Sequence, residues 1–580
     1  MVAYRLALSL YGLASLPYST AVSASADAHS SSYCSVIKNG NSSPGCQAPP
    51  SDFLAGSGGS TGPKADASVL DNSFKALAEL QNDYYDASEL TWPTSIDWTG
   101  AVIQTIVSST MSTLTKSFNG TVGDNVDGWK EKENLLSFLH EQVAAYYFGQ
   151  QAERIKGEAY DDVLWVVLGW IEALNFRRLH EDLHYAKAGF VDKPIPEQLP
   201  QALQQTPWHG QFWRGRFGER ADDFWAFSTQ GWDDVQCHGG MTWNPRLETY
   251  KNAITNELYI AGSIAMYQYW PGSYDGKGQQ DPRQLKAAIE GYKWITNVNM
   301  TNAQGLFVDG FHINHAIPGN VECDQRDEMV YTYNQGVILT GNRGLFEVTG
   351  APSYLDDGHR YIRSVINATG WDLRTNQPKD HITPGQLPPW RGLGRGGILE
   401  DQCDSSATCS QDSQTFKGIY FHHLAAFCSP LTLTHPNNAR MVVDDDAFQK
   451  VQDAHSKTCG AYLDWIKYNV DAALKTRDLK GHFGMWWGAS LFGDVSKPRS
   501  DDGINHFAAN VTDYRNEGTP QDNVWGFAKF IPGGGNATAM AQNRRPSGGD
   551  PNDRGRGRTV ETQAGGLALL KAYWEISQTS

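Results

Sequence analysis

Apolar residues recur at helical spacing along most of the chain. Leu70, Phe74, Leu77 and Tyr84 fall on one face of a helix, as do Val102, Ile103, Ile106 and Val107. The same period predicts helices near 133–149, 161–181, 249–270, 283–298, 328–341, 353–368, 415–427, 447–475 and 561–576. Alternating apolar and polar runs, the mark of strands, are few. Many long helices joined by variable loops predict an all-α fold of stacked helical hairpins. A closed ring of six hairpins is one natural solution.

One stretch departs from amphipathic patterning. Tyr160 to Phe176 is apolar on nearly every side, through Val163, Leu164, Trp165, Val166, Val167, Leu168, Trp170 and Ile171. A helix apolar all round is a buried one, which predicts an inner position. Stretches at 190–245, 375–414 and 495–560 are rich in Gly, Pro and Trp and predict long surface loops around one end, where binding sites commonly lie. Residues 25–66 are Ser/Gly/Pro-rich and predict a flexible leader ahead of one large domain over 67–580.

The extreme N-terminus changes the picture of where the chain works. Arg5, the apolar run Leu6 to Leu16 and the small residues Val22-Ser23-Ala24 predict an export signal over 1–24, too short to span a bilayer. No later segment predicts a membrane helix, and Leu570 to Ser577 lacks the apolar tail of a lipid-anchor signal. The expected location is therefore extracellular or loosely wall-associated. Six sequons, at Asn41, Asn119, Asn299, Asn367, Asn510 and Asn536, agree with a secreted glycoprotein. Eight cysteines form an even set without a Cys-x-x-Cys pair, which argues against structural zinc. Pairing in sequence order is expected: Cys34–Cys46, Cys237–Cys323, Cys403–Cys409 and Cys428–Cys459.

The net charge, 48 − 64 = −16, argues against nucleic acid and anionic membrane as partners and suits a neutral substrate. The 19 tryptophans offer faces on which sugar rings stack, or fill a large aromatic core. A monomer without cofactor is expected.

Most Asp-Asp pairs here (222–223, 233–234, 356–357, 501–502) read as caps or solvated turns. Asp161-Asp162 differs, because it opens the most apolar helix, where charge is costly unless used or paired. A retaining glycosidase needs two carboxyls about 5 Å apart, one attacking and one protonating. Like charges that close keep a proton on one partner, while a helix N-terminus favours the ionised other. Asn252 and Asn256, four apart, share a helix face and could bind sugar hydroxyls or form a hydrogen-bonded core pair. Trp208, Trp213, Trp225, Trp232 and Trp243 precede that helix as stacking candidates. His422-His423 reads as structural. A rival motif, His180-Glu181-Asp182-Leu183-His184, matches the zinc-peptidase His-Glu-x-x-His, but it closes a helix and the next glutamate, Glu197, lies among prolines.

Several ordered blocks resemble glycoside hydrolase family 76, the α-1,6-mannanase family. They are Tyr160-Asp161-Asp162-Val163-Leu164-Trp165, Gly239-Gly240-Met241-Thr242-Trp243 with Tyr250-Lys251-Asn252 and Asn256, Tyr331-Thr332-Tyr333-Asn334-Gln335-Gly336, and Asp412 with Phe416-Lys417-Gly418-Ile419. The resemblance implies an (α/α)6 barrel, retaining chemistry, no metal and an α-1,6-mannan substrate. It implies Asp161 as nucleophile and Asp162 as acid/base, with Tyr160, Trp165, Trp243, Asn252, Asn256, Asn334, Gln335 and Lys417 binding substrate. The alternatives are a cell-wall mannan transglycosidase, a zinc peptidase on His180 and His184, and a non-catalytic mannan-binding protein.

Overall fold

The computed structural model describes residues 33–38, 45–50, 53–54, 62–118, 129–185, 208–272, 278–407, 409–434, 441–493, 550–553 and 557–579. The export signal, the sequons at Asn41, Asn119, Asn510 and Asn536, and most of the 495–560 loop lie outside these residues.

The longer helices are α1 (Ala67–Tyr84), α2 (Asp97–Lys116), α3 (Trp129–Gly149), α4 (Tyr160–His184), α5 (Trp213–Ser228), α6 (Ala253–Tyr269), α7 (Pro282–Asn297), α8 (Val337–Thr349), α9 (Ser353–Ala368), α10 (Gln411–Cys428), α11 (Asp445–Gly460), α12 (Leu463–Leu474) and α13 (Val560–Thr579). Among the described residues, α2 packs on α4, α4 on α6, α6 on α8, α8 on α10, α10 on α13, and α13 back on α2. That sequence of neighbours closes a ring. Outside it, α3 lies on α2, α5 on α4, α7 on α6, α9 on α8, and both α12 and α1 on α13. The chain alternates between outer and inner layers, which makes an (α/α)6 barrel.

The patterning explains each layer. Outer helix α9 buries Leu355, Ile362, Val365 and Ile366 along one stripe. Inner helix α2 is buried from Trp98 to Thr115 although rich in Ser and Thr. Its hydroxyls are satisfied locally: Thr105 donates to the Ala101 carbonyl at 2.9 Å and Thr110 to that of Ile106 at 2.7 Å. Helices α10 and α13 approach most closely at Gly418, where a Cβ would stand 2.7 Å from the Gly565 Cα. Overpacking there costs about 1–3 kcal/mol.

Several expectations need correction. The 190–245 stretch is not all loop, since Trp213–Ser228 is outer helix α5. The helix expected over 447–475 is two helices, α11 and α12. The one expected over 328–341 starts with a 3-10 turn at Tyr333–Gln335 and runs on as α8 to Thr349. The 375–414 stretch is not all loop: Gln377–Pro378 pairs with the preceding Trp371–Asp372, and Gly394–Arg395 pairs with Ile398–Leu399, in two small hairpins. The leader is docked where it is described: Val36, Ile37, Phe53 and Leu54 are buried, and the Val36 amide donates to the Gly350 carbonyl at 2.9 Å. All four disulfides pair in sequence order. Among the described residues no helix is long and apolar enough to cross a membrane.

Candidate active site

The inner helices present their N-termini to one end of the ring. Thr99 near the start of α2 donates to Glu561 at the start of α13 at 2.8 Å, and Gln411 at the start of α10 donates to the same carboxylate at 2.9 Å. The Trp98 indole donates to Asp412 at 2.9 Å. Asn334, just before α8, donates to Asp309 at 3.3 Å, and the Asp309 carbonyl accepts the first amide of α6 at 2.7 Å. Helix N-termini converging on one mouth favour negative charge there.

Asp161 and Asp162 occupy that mouth in the first turn of α4. Asp161 is buried, and Asp162 is half-buried. The Asp161 carboxylate accepts the Trp243 indole N–H at 3.1 Å and the Asp162 amide at 3.2 Å. Asp162 Oδ2 accepts the Ala159 amide at 3.0 Å, closing the helix start. Glu158 stands just before the pair, its carboxyl pushed up to about 7 by burial, then by the charge of Asp97, against the pull of Arg154.

The loop that delivers Trp243 is built by the motif blocks. Gly239 and Gly240 have positive φ, and a Cβ on Gly240 would stand 2.5 Å from the Trp294 ring. Lys251, fully buried, donates to the carbonyls of Asp233, Gly239 and Gly240 at 2.8, 2.6 and 2.9 Å. Asn256 accepts the Met241 amide at 2.7 Å and donates to the Met241 carbonyl at 3.2 Å. Trp243 then pairs by its backbone with both neighbours: its carbonyl accepts the Tyr160 amide and its amide donates to Tyr250, each at 2.8 Å. The Tyr250 hydroxyl donates to Asp309 at 2.6 Å, in a strand (Tyr250–Asn252) that pairs antiparallel with Gly310–His312.

Of the expected sugar ligands, Tyr160, Trp165 and Trp243 sit with the carboxylates; Trp165 stacks on Trp98 with centroids 5.8 Å apart. Four others are held in the scaffold by hydrogen bonds from their side chains to the protein. Asn252 caps α6 through the Thr255 amide, and Asn256 clamps Met241. Gln335 binds both backbone groups of Phe307. Lys417 is buried against Asp404 and over the Trp487 ring. Asn334 is fully buried on Asp309. Beside them, Asp401 accepts the Thr332 amide at 2.9 Å and hydroxyl at 2.7 Å, and burial with the Asp404 charge pushes its carboxyl up to about 7.

Trp208 and Trp225 are buried, Trp213 packs on Phe217, and Trp232 stacks on Tyr259 and donates to Asp234 at 2.6 Å, so Trp243 is the tryptophan of that stretch that reaches the pair. Sequence reasoning missed Glu158, Asp309 and Lys251. Only Lys251 had a signal, its place inside the Tyr-Lys-Asn block. His422 and His423 are structural, facing Ser109 at 3.3 Å and Thr340 at 2.7 Å.

The His-Glu-x-x-His segment lies at the other end of α4, roughly 28 Å along the axis from Asp161. His180 and His184 both meet the Thr115 hydroxyl, at 2.7 and 2.9 Å, and His180 also meets Glu133 at 3.1 Å. Glu181 is engaged by Arg177 and by Gln211. The groups a peptidase would need are thus hydrogen-bonded into the core, which corrects the zinc-peptidase alternative.

Residues 214–478 match the sequence profile described as Glycosyl hydrolase family 76. The mannan endo-1,6-alpha-mannosidase DCW1 of Candida glabrata is 26% identical over 60% of this chain and 77% of its own length. The protein of the same name from Saccharomyces cerevisiae is 22% identical over 61% of this chain and 78% of its own. A solved inactive variant of an alpha-1,6-mannanase from Salegentibacter sp. HEL1_6, in complex with alpha-1,6-mannotriose, is 15% identical and aligns over 88% of this chain and 99% of its own at TM-score 0.47.

Proposed function

Because the chain belongs to glycosyl hydrolase family 76, we propose that it cleaves α-1,6-mannosidic bonds within a mannan backbone, with retention, using Asp161 and Asp162. The observation that carries this reading is the pair itself: two adjacent carboxylates at a mouth of converging helix N-termini, one of them held by an indole N–H.

In this reading Asp161 attacks the anomeric carbon while Asp162 gives its proton to the departing glycosidic oxygen. The C1–O bond of the chain breaks and a mannosyl ester to Asp161 forms. Asp162, now a base, takes a proton from water, which attacks C1 and frees Asp161. Two inversions leave the starting configuration. The Trp243 indole and the Asp162 amide fix the attacking carboxylate before substrate arrives, which lowers the cost of reaching the transition state. Trp243, half-buried beside the pair, supplies a ring face for the sugar, and buried Tyr160 and Trp165 pack beneath the carboxylates. Secretion and glycosylation at the exposed Asn299 and Asn367 belong to the same reading.

The test is incubation with linear, debranched α-1,6-mannan, following products by chromatography and the first-formed anomer by NMR. Short oligomannosides appearing first as the α anomer are expected. Products longer than the substrate would point to transfer to a sugar acceptor. No products from folded protein would overturn the activity, and a β anomer first would overturn retention.

A further inference from the structure

Among the described residues, two exposed histidine–carboxylate pairs share a similar geometry. His209 meets Glu141 at 3.1 Å and His238 meets Glu322 at 3.0 Å. What lies behind them differs. Behind His209 stands His140, whose imidazole is fully buried with neither ring nitrogen hydrogen-bonded. Buried polar groups are nearly always satisfied, so such a ring calls for a partner. Ligand atoms of His140, Glu141 and His209 lie within 4.8 Å of one another. Two other clusters of this kind, His359-His455-Cys459 and Cys403-Asp404-Cys409, have their sulfurs locked in disulfides.

We propose that His140, Glu141 and His209 bind a divalent transition-metal ion of the zinc class, tying helix α3 to the turn His209–Phe212 that leads into α5. Two imidazoles and one carboxylate are a common zinc donor set, with water completing four-coordination. Histidine ligates through a ring nitrogen that carries no proton, and both ring nitrogens of His140 are without a hydrogen-bond partner. His209 and Glu141 are exposed and free to move by the roughly 1 Å needed to close on an ion held at about 2.0–2.2 Å from each ligand. Trp208 packs on the His140 ring, 4.7 Å by centroid, and covers the inner side of the cluster. The site lies away from the carboxylate mouth and is independent of the proposed activity.

The test is calorimetric titration of chelator-treated full-length protein with Zn²⁺ at pH 7.5, beside thermal denaturation. One equivalent of ion is expected, with Tm raised by about 2 °C at a large excess over Kd. His209→Ala, an exposed change, should weaken binding about a hundredfold, whereas His238→Ala should bind like wild type. No saturable uptake by wild type, or equal uptake by His209→Ala, would overturn the site. Should His209→Ala fail to fold, Glu141→Gln with the same two readouts decides between the outcomes.

Discussion

The two ends of helix α4 look equally chemical as sequence and behave oppositely as structure. At the N-terminal end, Asp161 and Asp162 take donors from the Trp243 indole, the Asp162 amide and the Ala159 amide, at a mouth lined by helix N-termini. At the C-terminal end, His180 and His184 share the Thr115 hydroxyl and Glu181 is tied to Arg177. The first arrangement fixes two carboxylates which, in the proposed function, attack and protonate. The second ties the two histidines to Thr115 of a neighbouring helix and the glutamate to Arg177 of its own. A motif therefore reads as a site only when its functional atoms are not already consumed by the fold.

The comparison is broken most decisively by removing its first half. Asp161→Asn and Asp162→Asn should each lower kcat on mannan by about three orders of magnitude or more, with the fold intact by circular dichroism. Turnover within tenfold of wild type in either variant would contradict the assigned pair. Next comes the donor that holds Asp161. Trp243→Phe removes the indole N–H together with one of its two rings while keeping an aromatic face, and should cost about a hundredfold in kcat, with KM less affected. A variant whose KM alone rises would make Trp243 a sugar platform and nothing more.

At the other end the expected effect is on stability. His184→Ala should cost about 1–3 kcal/mol in denaturant unfolding while kcat of the folded protein stays near wild type. Loss of turnover without loss of stability would revive the rival motif. The smallest effect is on pH dependence, and here the ends have opposite signs. Glu158, raised to about 7, contributes stability that is present below its ordinary range and lost as pH rises through about 7. His180, lowered by burial, contributes stability that is present at neutral pH and lost as pH falls below its ordinary value. Relative to wild type, Glu158→Gln should gain in Tm as pH rises from 4.5 to 7, and His180→Gln as pH falls below about 6.5. Parallel slopes for the two variants would show that one assignment of environment is mistaken.

How far the sequence could be read follows from the same physics. Helix α9 was legible over its whole length because Leu355, Ile362, Val365 and Ile366 form a clean stripe. Helix α5 was not, because Gly215 and Gly218 lower its propensity and its tryptophans look like loop decoration. Tertiary packing decides that case: a Cβ on Gly218 would meet the Trp270 ring at 2.1 Å, so glycine is what lets the helix lie down. The aspartate pair was legible because charge opening an apolar helix is costly and so conspicuous. The roles of Lys251 and Asn256 were not, since their partners are carbonyls and amides eleven to eighteen residues away, positions that carry no side-chain signature. Asp309 sits in a stretch without periodicity, and only the fold brings it under Tyr250 and Asn334.

The central claim is that Asp161 forms a covalent bond to mannose. The most direct measurement is incubation with an α-1,6-mannobiosyl fluoride carrying a second, deactivating ring fluorine, followed by intact mass and peptide mapping. Departure of the anomeric fluoride with formation of an ester predicts one added mannobiosyl unit per chain, on the peptide containing Asp161 and absent from Asp161→Asn. A label on any other residue, or turnover of mannan with no label at all, would contradict the account.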